Sequence, residues 1–174
     1  MPSRAEIVLF DDSPPPPGAS AWLPDAPRAA GHVGSTSVPG LPAKPIIDID
    51  LTVADPGREQ DYVPALESAG FRLVIREPWW YCHRMLKSDE PRCNLHVFGF
   101  DSPELVRHRI FRDWLRGNPD ESDLYAAAKR QAAAESNAAG EHGMQYNARK
   151  EQLLREIYHR AFLATGGPGK LQFA

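Results

Sequence analysis

The first half of the chain is a series of short apolar runs separated by proline and glycine. Residues 46–53 alternate apolar and acidic side chains at period two, which predicts a strand with Asp48 and Asp50 on one face and Ile47, Ile49 and Leu51 on the other. A helix is predicted over 60–69, with Gly70 directly after its last residue. Further strands are predicted over 5–10, 71–75, 81–86 and 92–98.

The last two of these strands predict a hairpin around residues 87–91. Alternation along them puts Cys82, Arg84, Asn94 and His96 on one face. We expect that face to be the one that carries the aspartates, where Arg84 would hold a phosphate or a carboxylate.

The last third of the chain has helical patterning. Helices are predicted over 103–116, 120–139 and 145–164, with Asp120 as the N-cap of the second. The segments outside the main domain are a proline-rich stretch, 1–30, which contains four consecutive prolines, and a glycine-containing tail, 165–174, which we expect to be flexible. A mixed sheet followed by helices is an α+β arrangement.

Composition narrows the class of protein. The 174 residues are 42% hydrophobic and 25% charged, which suits one domain with its own core. A net charge of −3 disfavours a nucleic-acid partner, and without a long apolar run or signal core we expect no membrane association and a cytoplasmic location. The two cysteines are expected to be ordinary thiols, because Cys82-His83 and Cys93-x-x-His96 match no common zinc spacing.

Two short motifs together indicate phosphate and metal chemistry. A nucleoside triphosphate needs a divalent cation to neutralise its charge, and Mg²⁺ prefers carboxylate oxygens and water. Asp48 and Asp50, two positions apart on one strand face, can bind Mg²⁺ or Mn²⁺ from the same side. Gly34 and Ser35, expected in a turn at a helix N-terminus, offer backbone N–H groups and a hydroxyl to the β- or γ-phosphate. Lys44, just before the strand, is expected to reach a phosphate.

The sequence of this stretch resembles that of a known protein family. The sequence from His32 to Leu41, HVGSTSVPGL, with the KPIIDI motif that begins at Lys44, is similar to the GrpB family, also called UPF0157, of the nucleotidyltransferase superfamily. The resemblance covers about residues 31–162 of the domain predicted over 31–164, and it implies a nucleotidyltransferase-like mixed β-sheet flanked by helices. It places Thr36 and Ser37 beside Gly34 and Ser35 in the nucleotide-binding motif.

The resemblance continues downstream. Asn94-Leu-His-Val97 is similar to the family's histidine-bearing strand, and His96 stands where many nucleotidyltransferases carry a third carboxylate, which suggests a metal ligand or a general base. The other matching positions, all interpreted as nucleotide-binding, are Arg109, Tyr125, Lys129, Tyr146 and Lys150. Each tyrosine lies one helical turn before its lysine, so its ring is expected to stack on a base while the lysine meets the triphosphate.

The function predicted from these residues is a metal-dependent enzyme. It would use ATP or another nucleoside triphosphate to nucleotidylate a small-molecule acceptor, or to activate an acceptor carboxylate by adenylation. Asp48, Asp50 and His96 would be its catalytic residues. The alternatives are a catalytically inactive nucleotide-binding or sensing module and, third, a structural partner domain.

Overall fold

The computed structural model describes residues 30–165 in two units. The sheet unit comprises residues 30–37 and Pro45–His108, and the helical unit comprises Val38–Lys44 and residues 109–165. We describe each unit by itself. The strand predicted over 5–10, nearly all of the proline-rich segment and the tail after residue 165 lie outside the described residues.

The sheet unit contains a five-stranded mixed sheet in the order β1-β2-β5-β4-β3. β2 and β5 pair in parallel at the centre, and the other neighbouring pairs are antiparallel. Its strands and single α-helix are β1 Ala30–Val33, β2 Ile47–Val53, α1 Val63–Ser68, β3 Arg72–Glu77, β4 His83–Asp89 and β5 Arg92–Gly99.

One face of this sheet is apolar and packs against α1. Ile49 and Leu51 of β2 and Val97 of β5 are at most 1% exposed, as expected for alternate strand positions that face a core. Leu66 of α1 is fully buried in the same cluster. α1 is shorter than the helix predicted over 60–69, because a 3₁₀ turn, Glu59–Asp61, occupies the first part of that range.

The hairpin of β4 and β5 differs from the prediction in its register. The turn contains only two residues, Glu90 and Pro91, and Asp89 pairs with Arg92. The predicted loop of five residues would have paired even-numbered positions with even-numbered ones. With a two-residue turn, odd positions of β4 lie opposite even positions of β5, as in the pair Met85 and His96. The residues of β4 therefore lie on the faces opposite to those predicted.

The helical unit contains α3 Pro119–Ala139 and α4 Gly143–Ala164, while α2 Pro103–Gly117 runs across the boundary between the units. α3 begins one residue before the prediction, with Asn118 at the N-cap, so the expected cap at Asp120 is wrong. Gly140, in the left-handed conformation, ends α3. The fold is α+β. Among the described residues, no helix is both long and apolar enough to cross a membrane.

Candidate functional site

The second face of the sheet carries the polar residues of the two central strands. Asp48 pairs with Asn94 across the parallel β2–β5 ladder, and Asp50 pairs with His96. Paired positions of neighbouring strands project to the same side, so these four residues share one face, as the alternation predicted. We call this the aspartate face.

The loop after β1 lies directly against the Asp48 carboxylate. Val33 pairs with Asp48, and Gly34 follows with a φ of 68°, in the left-handed region. A Cβ atom at Gly34 would lie 2.7 Å from Asp48 Oδ2, far inside ordinary contact distance. Only glycine allows this approach, which brings the Gly-Ser motif and the first aspartate together.

The hydroxyl groups of this loop have different surroundings. Thr36 is buried and forms a 2.9 Å hydrogen bond with His32 Nε2, and Ser37 Oγ donates to the Gly34 carbonyl at 2.6 Å. These two side chains hold the loop in shape. Ser35 is partly exposed and opens a 3₁₀ turn, Ser35–Ser37. The expected helix N-terminus after Gly34 is therefore only this three-residue turn.

The two aspartates are not equivalent. The Asp48 side chain is 33% exposed, and its Oδ1 accepts a 2.8 Å hydrogen bond from Asn94 Nδ2. The Asp50 side chain is 5% exposed, and both of its oxygens lie within 3.1 Å of His108 Nδ1. Asp48 is thus open to an incoming ligand, whereas Asp50 is held by a histidine.

His108, in α2, is a site residue that the sequence did not reveal. Burial alone would lower its pKa, but the hydrogen bond to Asp50 and the charges of Asp50 and Glu104 outweigh burial, so its pKa is raised. Glu104 Oε2 lies 3.7 Å from His108 Nε2. His108 is separated from Asp50 by 58 residues, so no local pattern links them.

A second chain of hydrogen bonds ends at His96. His83 Nδ1 lies 2.7 Å from Glu77 Oε2, and His83 Nε2 lies 3.1 Å from His96 Nδ1. His83 is 3% exposed and packs against the rings of Trp80 and Phe98. Burial lowers the pKa of His83, although the bond to Glu77 acts in the other direction.

The far nitrogen of His96 faces the first aspartate. His96 Nε2 lies 3.9 Å from Asp48 Oδ1, and the His96 side chain is 23% exposed. Within residues 30–165, no three histidine, cysteine or acidic side chains converge on one metal position. The protein donors for a cation at this point are therefore Asp48 and His96, with Asp50 next along β2.

Arg84 is not on the aspartate face, so the predicted face of this residue is wrong. It pairs with Val97 and points to the opposite side of the sheet, because the two-residue turn shifts the register of β4. There Arg84 Nε donates to Glu59 Oε1 at 2.6 Å, and Arg76 donates to the same carboxylate. The bond from Arg76 is the largest influence that lowers the pKa of Glu59, to about 2.

The remaining predicted residues belong to the helical unit. Lys44 Nζ lies 4.5 Å and Lys150 Nζ 4.9 Å from the centre of the Tyr146 ring, and Lys129 Nζ lies 5.3 Å from that of Tyr125. These contacts confirm that each tyrosine shares a helix face with its lysine. Tyr125 and Tyr146 are only 4% and 3% exposed, however. Both rings are buried in this structure, and the stacking role stays a prediction.

Arg109 is exposed on α2. Asp113, one helical turn further along α2, accepts a 2.8 Å hydrogen bond from the adjacent Arg112. For Arg109 and the three lysines, a role in nucleotide binding stays a prediction.

The fold and the aspartate face together define a class: an α+β protein whose mixed sheet carries a glycine loop, two aspartates and a histidine on one side. The family model described as "GrpB protein" matches residues 20–160. The chain therefore belongs to the GrpB family.

Similar proteins agree with this assignment. A UPF0157 protein of Halalkalibacterium halodurans is 48% identical over 130 residues, which cover 75% of this chain and 65% of that protein. A UPF0157 protein of Streptomyces coelicolor is 43% identical over 57% of this chain and 52% of its own length. The chain thus spans about half to two thirds of these relatives. The crystal structure of GrpB from Enterococcus faecalis matches with a TM-score of 0.67 and 29% identity, over 79% of this chain and 82% of that one.

Proposed function

We propose that this protein is a metal-dependent nucleotidyltransferase-like enzyme that uses a nucleoside triphosphate, ATP in the first instance, to nucleotidylate or activate a small-molecule acceptor. The observation that carries the proposal is the contact between Gly34 and Asp48. It puts the turn of Gly34 to Ser37 beside a solvent-accessible carboxylate, an arrangement that a bound metal–triphosphate would require. In this proposal the sheet is a nucleotidyltransferase-type sheet.

The metal would be held mainly by Asp48. Asp48 is exposed enough to bind a cation, and Asp50 is the next position on the same face of β2. A bound Mg²⁺ or Mn²⁺ would neutralise phosphate charge and polarise the α-phosphate. The small number of protein ligands suits such an ion, because Mg²⁺ in nucleotide enzymes takes most of its remaining ligands from water and phosphate oxygens.

The triphosphate would be held by the loop of Gly34 to Ser37. The Thr36 and Ser37 side chains are occupied in shaping the loop, so Ser35 is the hydroxyl best placed to donate to a phosphate. The name of one sequence relative also supports nucleotide chemistry. A protein named dephospho-CoA kinase from Mycolicibacterium paratuberculosis is 31% identical over 75% of this chain, and the match covers 38% of that protein.

The second candidate is a nucleotide-binding or sensing module without turnover. The observation that favours it is the bond between Asp50 and His108. A carboxylate held in this way is less available to a metal, and transfer with Asp48 alone would be slow. This candidate predicts nucleotide binding that depends on Asp48 but releases no pyrophosphate.

The two candidates are separated by assaying the full chain with each nucleoside triphosphate, Mg²⁺ or Mn²⁺ and a pool of small metabolites. Pyrophosphate release and a mass-shifted acceptor are expected, and Asp48→Asn should lower both by at least about 100-fold, a loss typical of a main charge-stabilising group. The matched control is Asp89→Asn, since Asp89 is an exposed aspartate at the end of β4 with a surface partner, Arg72. Release that Asp48→Asn leaves unchanged would contradict the assigned site. Asp48-dependent binding without release would support the sensing module.

A further inference from the structure

The hydrogen-bond chain behind His96 determines which nitrogen of that ring carries the proton. Glu77 is a carboxylate and accepts from His83, so His83 carries its hydrogen on Nδ1. His83 is buried between aromatic rings, which favours a neutral imidazole with a bare Nε2. That bare nitrogen accepts from His96, so the hydrogen of a neutral His96 is on Nδ1.

The Nε2 atom of His96 then carries no hydrogen, and its lone pair is on the side of the ring near the Asp48 carboxylate. It lies 3.9 Å from Asp48 Oδ1, too far for a hydrogen bond, and two electron-rich atoms at this distance gain nothing from facing each other. Ligand atoms that share one divalent cation, at about 2.0 to 2.2 Å each, lie at most about 4.4 Å apart. The spacing therefore fits a cation between the two atoms.

The groups behind His96 have the arrangement of a metal-supporting shell. Metal-bound histidines nearly always donate their second N–H to a fixed acceptor, which orients the ring and raises its basicity. His96 donates to a buried residue, His83, which is itself fixed by Glu77. The hydrogen bonds described for Glu77 and His83 lead to His96, and they fix the orientation of its ring.

We infer that His96 Nε2 and Asp48 together bind one divalent cation, that Glu77 and His83 are positioning residues for this ligand, and that the site prefers an imidazole-accepting ion such as Mn²⁺ over Mg²⁺. The inference rests on the proposed function for the role of the ion, but it concerns the ligand set and the metal. Imidazole nitrogen is a good ligand for first-row transition ions, whereas Mg²⁺ takes oxygen.

The test is Mn²⁺ binding to the full chain, measured by calorimetry and by pulsed electron paramagnetic resonance, which detects ¹⁴N of a coordinated imidazole. Wild-type protein should show the ¹⁴N signal and bind Mn²⁺ at least about tenfold more tightly than Mg²⁺. His96→Gln should remove the signal and reduce the preference. His159→Gln, at an exposed histidine of α4, is the matched control and should change neither.

The positioning role is tested with variants of Glu77, at the end of β3. Its side chain is 34% exposed, whereas that of His83 is 3% exposed, so a substitution at Glu77 disturbs the core less. Glu77→Ala should weaken Mn²⁺ binding by about 10-fold to 100-fold, the range measured for outer-shell partners. Glu77→Gln keeps an oxygen acceptor for His83 and should restore most of the affinity. Equal losses in both variants would contradict a role through hydrogen bonding.

The results separate this inference from the proposed function. Mn²⁺ bound without a ¹⁴N signal, together with nucleotide binding that depends on Asp48, overturns histidine ligation and leaves the proposed function in place. A ¹⁴N signal that is lost in His96→Gln, in a protein that neither binds nor turns over any nucleotide, supports the metal site and overturns the proposed function.

Discussion

Replacing Gly34 by alanine tests the contact on which the candidate site depends. The new Cβ would lie 2.7 Å from Asp48 Oδ2, about 0.7 Å short of ordinary contact, and the backbone φ of 68° is unfavourable for any L-residue with a side chain. Two costs therefore add together in Gly34→Ala, one from the backbone and one from moving the carboxylate.

The magnitudes follow from the two contacts. The left-handed backbone costs about 1 to 2 kcal/mol for alanine. Moving the Asp48 carboxylate breaks its bond with Asn94, and a hydrogen bond to a charged group is worth about 1.5 to 3 kcal/mol. Gly34→Ala should thus lower the free energy of unfolding by about 2.5 to 5 kcal/mol. Gly40 has a similar φ of 74° and nothing within 4 Å of its Cβ position, so Gly40→Ala should cost only the backbone part.

The assay is urea denaturation of Gly34→Ala, Gly40→Ala, Asp48→Ala and the double variant of Gly34 and Asp48. With the carboxylate removed, the contact at 2.7 Å is gone and only the Cβ of residue 48, at 3.1 Å, remains close. Gly34→Ala should then cost less than it does in the wild type, with a coupling energy of about 1.5 kcal/mol. Costs that add within about 0.5 kcal/mol would refute the close approach of Gly34 to Asp48.

Two further predictions concern groups away from the aspartate face. The pKa of Glu59 is held at about 2 by Arg76 and Arg84, below its ordinary 4.5, so its stabilising effect is complete above pH 4.5 and is lost as the pH falls towards 2. Glu59→Gln should therefore lower Tm at pH 7 and have a much smaller effect near pH 2.5, and an equal decrease at both values would contradict the ion pair. Cys93 is 2% exposed and burial raises its pKa to about 12, so iodoacetamide at neutral pH should alkylate Cys82 in the folded protein and Cys93 only after denaturation, as mass spectrometry would show.

The elements and the first half of the site follow from local sequence patterns. Period-two alternation at 46–53 was enough to predict the strand β2 and to place Asp48 and Asp50 on one face of it. Both features depend on residues that are near one another in the chain. The same holds for the tyrosine–lysine pairs, whose spacing is one helical turn.

The parts that sequence did not predict depend on register and on distant pairing. The predicted face of Arg84 was wrong because the face depends on the number of residues in the turn between β4 and β5. A change from five turn residues to two moves every side chain of β4 to the other face relative to β5. Pairing of His83 with His96 follows from the same register. The hydrogen bond between His108 and Asp50 joins a helix to a strand 58 residues away in the chain, and no local sequence pattern predicts it.

The parallel pairing of β2 with β5 has a consequence for the order in which the protein forms. Asp48 and Asn94 touch across a chain separation of 46 residues, and closing so long a loop costs about 2 kcal/mol more entropy than closing a four-residue hairpin. The β3–β4–β5 meander contains only short connections and can form early, whereas its docking on β2 is expected to come late. The ligand set at Asp48 and His96 is therefore absent from the unfolded chain. Any ion that binds between them acts on the folded state alone and should raise its stability in proportion to the logarithm of ion concentration.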